Sequence, residues 1–130
     1  MKGFTTDIER ETLDNDDFRR VLYTASYMQL VLMSVPEGEE IGLETHGQDQ
    51  FIRVEKGEGT ATLDGVEHAL GDGAALVIPA GTEHNIANVG TGPLKLYTIY
   101  AAPHHKDGTV HRTKEDAEAD EEEYLGDTTE

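Results

Sequence analysis

Apolar residues in this chain come in short clusters with alternating polar partners, not in long helical stretches. Arg19–Thr24 and Gln29–Val35 are rich in branched and aliphatic side chains and flank the polar break Ala25-Ser26, which predicts two neighbouring strands. After the turn Pro36-Glu37-Gly38, Ile41–His46 and Gln50–Glu55 continue the series on either side of a Gly-Gln-Asp break. Thr60–Leu63 and Val66–Ala69 bracket Asp64-Gly65, a residue pair that favours the type I′ hairpin turn. Ala74–Ile78 is a continuous apolar run, as a buried strand is, and a further strand begins near Glu83. Its alternation sends His84, Ile86 and Asn88 to one face. Leu94–Tyr100 closes the series, with Leu94, Leu96 and Thr98 facing one way and Lys95, Tyr97 and Ile99 the other.

Short strands with a turn signal about every ten positions predict an all-β sandwich or barrel, antiparallel, with roughly six to ten strands. Residues 1–18 are polar and read as irregular, with a loop signal at Asp14–Asp17. Beyond Ala101 the character changes. Pro103–Val110 reads as a loop, and Thr113 is placed to cap a short helix with Asp116 three residues on. The expected organisation is one barrel domain over 1–112 and an acidic C-terminal tail over 113–130.

Between Gly73 and Asn88 the chain reads Gly-x5-Pro-x-Gly-x2-His-x3-Asn, with Gly73, Pro79, Gly81, His84 and Asn88 at the fixed positions. Pro79 presets φ for the second position of a turn and Gly81 accepts the conformation that closes it, so an imidazole follows a rigid turn at the mouth of a β structure. The spacing resembles the second signature motif of the cupin superfamily. Gly38–Gly57 resembles the first, Gly-x5-His-x-His-x3,4-Glu-x6-Gly, in Gly38, His46 and Gly57. Glu44 stands where the first His belongs and Gln50 where the Glu belongs. The resemblance covers roughly residues 30–100. It implies a small single-domain cupin, an antiparallel double-stranded β-helix or jelly-roll barrel of the kind grouped with mannose-6-phosphate-isomerase-like cupins. It further implies a mononuclear divalent metal, commonly held by three His and one Glu.

The residues support a candidate site independently. On a strand over Ile41–His46, Gly42, Glu44 and His46 share a face. Gln50 returns toward the same cavity after a tight reversal, and His84 arrives from the other sheet. Glu44, His46, Gln50 and His84 thus offer one carboxylate, two imidazoles and an amide oxygen. Two imidazoles with a carboxylate suit Fe(II), and also Mn, Ni or Zn. The chemistry expected is Lewis-acid isomerisation or dioxygenation on a small molecule, with Glu44 as ligand or base. The alternative is a non-catalytic barrel that binds or senses a small ligand such as a sugar or small acid. His104, His105 and His111 are expected on a solvated polar loop, with one of the adjacent pair at most facing inward. Arg53 is either an inward anchor for an anion or a surface charge.

Composition narrows the partners. There are 27 acidic against 10 basic residues, a net charge of −17. Nine of the acids and no base lie in residues 115–130. This field repels phosphate backbones, so no nucleic-acid partner is expected. The acidity fits a salt-adapted protein or an ordinary solubilising surface. With no cysteine there is neither a disulfide nor a thiolate metal site. No apolar run, Leu30–Val35 included, is long enough to cross a bilayer, and the acidic N-terminal residues do not resemble a targeting signal. A cytoplasmic protein is expected, and open barrel edges predict a homodimer.

Overall fold

The computed structural model describes all 130 residues. The helix α1 (Ile8–Asp14) precedes β1 (Arg19–Thr24), β2 (Gln29–Val35), β3 (Asp49–Lys56), β4 (Gly59–Leu63) and β5 (Val66–Leu70). β6 (Ala75–Ile78), β7 (His84–Asn88), β8 (Leu94–Ala101), β9 (Val110–His111) and α2 (Lys114–Ala119) follow. The strands form two sheets, in the orders β6-β3-β8-β2-β1-β9 and β5-β4-β7. Every strand pairing is antiparallel. The fold is an all-β sandwich of the jelly-roll type with a small C-terminal helix.

The inner faces close on one apolar core. Val31, Met33 and Val35 from β2, Ile52 and Val54 from β3, and Leu94 and Leu96 from β8 meet Ala61 and Ile86 of the smaller sheet. Alternation is visible in the burial of β7, where His84, Ile86 and Asn88 are buried and the residues between them are half-exposed. β2 departs from alternation because Leu32 and Ser34, on its outer face, are buried as well. The N-terminal segment packs across β8, β3 and β2, so α1 is a real element where the polar composition of residues 1–18 predicts none. Asp7 caps it by accepting from the Arg10 amide, with Glu9 and Glu11 in the first turn. The buried Lys95 ammonium fastens the next loop by donating to the Asn15 carbonyl and the Asp16 carboxylate.

Turn chemistry follows residue type. Asp64 and Gly65 both take positive φ, 47° and 82°, as a type I′ turn demands. The turn after β6 sits one residue later than the fixed φ of Pro79 suggests. The Thr82 amide donates to the Pro79 carbonyl, making Pro79 the first turn residue, and Gly81 takes φ 83° at the third position. The strand expected over Ile41–His46 is interrupted. Gly42 has φ 117°, and only isolated bridges remain on either side of it, Glu40 with Ala87 and Glu44 with His84. Val110–His111, expected as loop, adds a short edge strand to β1.

Candidate metal centre

The site forms where the interrupted segment meets β7. Glu44 and His84 exchange both backbone hydrogen bonds, 2.8 and 2.9 Å. They are therefore a directly opposed antiparallel pair with side chains on one face. Two residues on, the His46 carbonyl accepts from the Gly81 amide at 2.8 Å, which ties the first-motif histidine to the turn preceding His84. Gln50, the second residue of β3, reaches the same cavity from the large sheet. One ligand atom each from Glu44, His46 and His84 lies within 4.8 Å of the others.

The donor atoms are oriented. His84 turns Nδ1 to the Thr82 carbonyl at 2.9 Å, so that nitrogen carries the proton and Nε2 keeps its lone pair. His46 Nε2 lies 2.8 Å from a Glu44 carboxylate oxygen, yet off the direction a ring N–H would need, and has no hydrogen-bond partner. Adjacent donors on a metal with bonds of about 2.1 Å, at right angles, sit about 3 Å apart, so the spacing is compatible with two ligands, and the misdirected N–H argues against a simple ion pair. Burial pushes the Glu44 carboxyl up. The adjacent His46 imidazole, with Arg19 and His84 nearby, outweighs it and holds the group below the usual range. Gln50 Nε2 donates to Thr98 Oγ1 at 2.9 Å, while its Oε1 is buried without a partner. Unsatisfied buried acceptors beside a carboxylate are costly unless a cation or donor meets them. The residues fit a divalent metal.

The cavity they line is small. Glu44, Gln50, His84 and Tyr100 share it with apolar residues such as Met33, Ile52 and Leu96, and its free space is about 10 Å³. That is room for one water-sized occupant.

The C-terminal segment closes the mouth above it, contrary to the solvated loop expected for His104, His105 and His111. His105 and His111 are 5% and 3% exposed. Gln29, fully buried on β2, explains the placement. Its amide nitrogen donates to Thr24 Oγ1 at 2.9 Å and to the His105 carbonyl at 2.8 Å. Its oxygen accepts from the His104 and His105 amides at 3.2 and 2.9 Å. Held so, both imidazoles turn inward, where simple alternation along an extended segment allows one. The His104 ring packs 4.3 Å from the His46 ring. Burial, then His105 and His46, lowers its pKa to about 4. His105 sends Nδ1 to Glu122 at 2.7 Å and Nε2 toward the Tyr100 hydroxyl at 3.4 Å. Burial lowers His105, against the pull of Glu122. Burial raises the Glu122 carboxyl, but the His105 bond and the Lys106 amide outweigh it and bring it to about 2. His111 lies between Asp120 at 3.0 Å and Arg19 at 3.3 Å. Tyr100, Gln29 and Glu122 escape a reading of motifs. Their signals, a strand-end Tyr, a Gln in an apolar strand and a Glu in an acidic run, are individually ordinary. Arg53 lies beside Glu55 at 3.3 Å with a half-exposed side chain, a surface charge.

A family model described as a cupin domain matches residues 31–100. The chain belongs to the cupin family. This cupin is 47% identical over 128 residues to the uncharacterised protein YrkC of Bacillus subtilis, spanning 93% of this chain and 69% of YrkC. It is 44% identical over 113 residues to the uncharacterised protein L612 of Acanthamoeba polyphaga mimivirus, spanning 82% of this chain and 70% of L612. The solved structure of BH2720 from Bacillus halodurans is similar at a TM-score of 0.90 and 47% identity, over 92% of this cupin and 96% of that chain. No helix of this cupin is long and apolar enough to cross a membrane.

Proposed function

We propose that this cupin binds one divalent transition metal ion (Fe, Mn, Ni or Zn) through Glu44, His46 and His84, with the Gln50 oxygen completing the set. It acts with that ion on a small molecule, in an isomerase- or dioxygenase-like reaction. The observation that supports this reading best is the convergence of His46 Nε2 and a Glu44 oxygen at 2.8 Å without hydrogen-bond geometry. When bound, the ion supplies Lewis-acid or redox chemistry. Glu44, the charged member of the set, balances the ion and is the group placed to hold or move a proton. Elemental analysis of protein purified without added metal tests the reading, with about one ion per chain expected from a single three-ligand site. Metal-free protein that also refuses reconstitution overturns it.

The alternative reading is a barrel that binds or senses a small ligand, such as a sugar or small acid, without turning it over. If His46→Ala and His84→Ala lose the metal yet keep ligand binding, this second reading replaces the first. We also propose a folding unit over residues 1–112 with 113–130 appended, and a homodimer formed along exposed sheet edges. A chain ending at Arg112 that keeps its β-sheet circular dichroism, and sedimentation equilibrium at twice the chain mass, are the respective checks.

A further inference from the structure

Gln50 poses a question that the ligand set leaves open. An amide turns either oxygen or NH₂ toward its surroundings, and only the oxygen can face a cation. One Gln50 proton goes to Thr98 Oγ1, and Gln50 is the direct cross-strand partner of Tyr100. Both side chains line the same small cavity, and the Tyr100 hydroxyl has one proton to donate.

The proton's destination is settled at the surface. Glu122 is ionised and can only accept, which it does from the Lys106 amide at 2.9 Å and from His105 Nδ1 at 2.7 Å. His105 then has its proton on Nδ1, and Nε2 accepts. The Tyr100 hydroxyl donates to Nε2 across 3.4 Å, which leaves its oxygen able to accept from the Gln50 amide on the paired strand. With one amide proton on Thr98 and the other set toward the Tyr100 oxygen, Gln50 Oε1 is the atom left toward the cavity, and it is the atom found buried without a partner.

We propose that Glu122, His105 and Tyr100 are positioning residues that turn the Gln50 oxygen toward the metal centre, so that a carboxylate of the C-terminal tail decides which face of an interior amide the ion meets. The consequence for the ion rests on the metal reading above; the direction of the chain does not.

The test uses the full chain, first without metal, with nitrogen NMR reading the His105 tautomer and the Gln50 side-chain amide. Wild-type His105 is expected in the Nδ1–H form. Glu122→Gln, whose amide donates as well as accepts, raises the Nε2–H share of His105 and moves the Gln50 amide resonances. Glu122→Asp, still an acceptor only, keeps the wild-type tautomer. Tyr100→Phe moves the Gln50 resonances and leaves His105 as Nδ1–H, and adding Glu122→Gln to it moves Gln50 no further. A wild-type Nε2–H tautomer overturns the proposal, as do Gln50 resonances that stay put when Glu122→Gln changes His105. Should Glu122→Gln release the tail entirely, Tyr100→Phe decides: unmoved Gln50 resonances overturn the chain. Cobalt(II) is then added to each protein. The visible absorption of Glu122→Gln and Gln50→Ala is expected to shift in the same direction from wild type, and a Glu122→Gln spectrum identical to wild type overturns the effect on the ion. Failure of the wild-type protein to take up cobalt counts against the metal reading, while the metal-free spectra still judge the chain.

Discussion

The two ends of this barrel invite opposite conclusions from size and from chemistry. The larger concavity, about 600 Å³, lies among the turns opposite the metal-site end, around Glu37, Lys56–Glu58, Asp72 and Val89–Thr91. Two of its three carboxylates are used within the fold: Asp72 accepts from the Gly57 amide at 2.9 Å and Glu37 from the Gly92 amide at 3.1 Å. The other end encloses only about 10 Å³, yet His46 Nε2 and Gln50 Oε1 there lack hydrogen-bond partners. Asp72 and Glu37 at the roomy end serve the folding of the turns, while His46 Nε2 and Gln50 Oε1 at the cramped end are left over after folding. Unspent hydrogen-bonding capacity, more than open volume, marks the place where a ligand is expected.

Variants can break this contrast. The largest effect is expected from His46→Ala and His84→Ala, each lowering metal affinity by more than about 100-fold, since even residues behind the ligands cost 10- to 100-fold. Competition against a chelator checks it, and retention of near-wild-type affinity by either variant would sink the site. Glu44→Gln is expected to cost about 10- to 100-fold, more than Gln50→Ala, because it removes the only charge. Equal affinities of the two variants would show that the carboxylate is not the principal oxygen ligand. At the far end, Gly57 has φ 109° and a Cβ there would lie 2.9 Å from the Pro93 carbonyl oxygen. Gly57→Ala should therefore lower stability by about 1–3 kcal/mol in a denaturant melt while leaving the metal content unchanged. A loss of metal in that folded variant would tie the two ends together.

The mildest effect is on pH. Glu122 is depressed from 4.5 to about 2, so its stabilisation is complete above 4.5 and disappears as pH falls toward 2. His105 is also lowered, so the unfolded chain takes up a proton below 6.5 that the folded chain refuses, and stability falls from there downward. Attachment of the tail should weaken as pH drops below 6.5, with the steepest loss under 4.5. Faster hydrogen exchange at the Lys106 and Tyr124 amides, relative to amides within β2, would report it. Uniform exchange at both places across that range would show that the tail does not respond as a separate unit.

Much of the barrel was legible because its local and global signals agree. β1 and β2 begin and end where the apolar pattern does, and Asp64-Gly65 turns as its residue types require. Disagreement arose where tertiary contacts overrode local pattern. α1 carries few apolar residues and exists because it packs across β8, β3 and β2 of the large sheet, a demand no local window contains. Over Ile41–His46 alternation was present, but one glycine at φ 117° interrupts the strand. Of the candidate site, the grouping of Glu44, His46 and His84 was legible because the two histidines follow motif spacing and Glu44 stands two residues before His46, on the same face of an extended segment. The association of Tyr100, His105 and Glu122 was not, since it depends on a tail folding back across the 17 positions from His105 to Glu122.

Gln29 carries a further consequence for substitution. Its side chain uses two donors and two acceptors, all saturated, to hold the backbone over the mouth. Among amino acids only Gln and Asn own that valence, and Asn is one methylene too short to reach all four partners from the same Cα. Glu lacks the donors, and Met, though similar in length, has no N–H and only a weak acceptor. Position 29 thus tolerates essentially one residue type although it touches no ligand, and anyone wishing to open or redesign the entrance holds the handle on β2, inside the barrel wall, and not on the loop that forms the door.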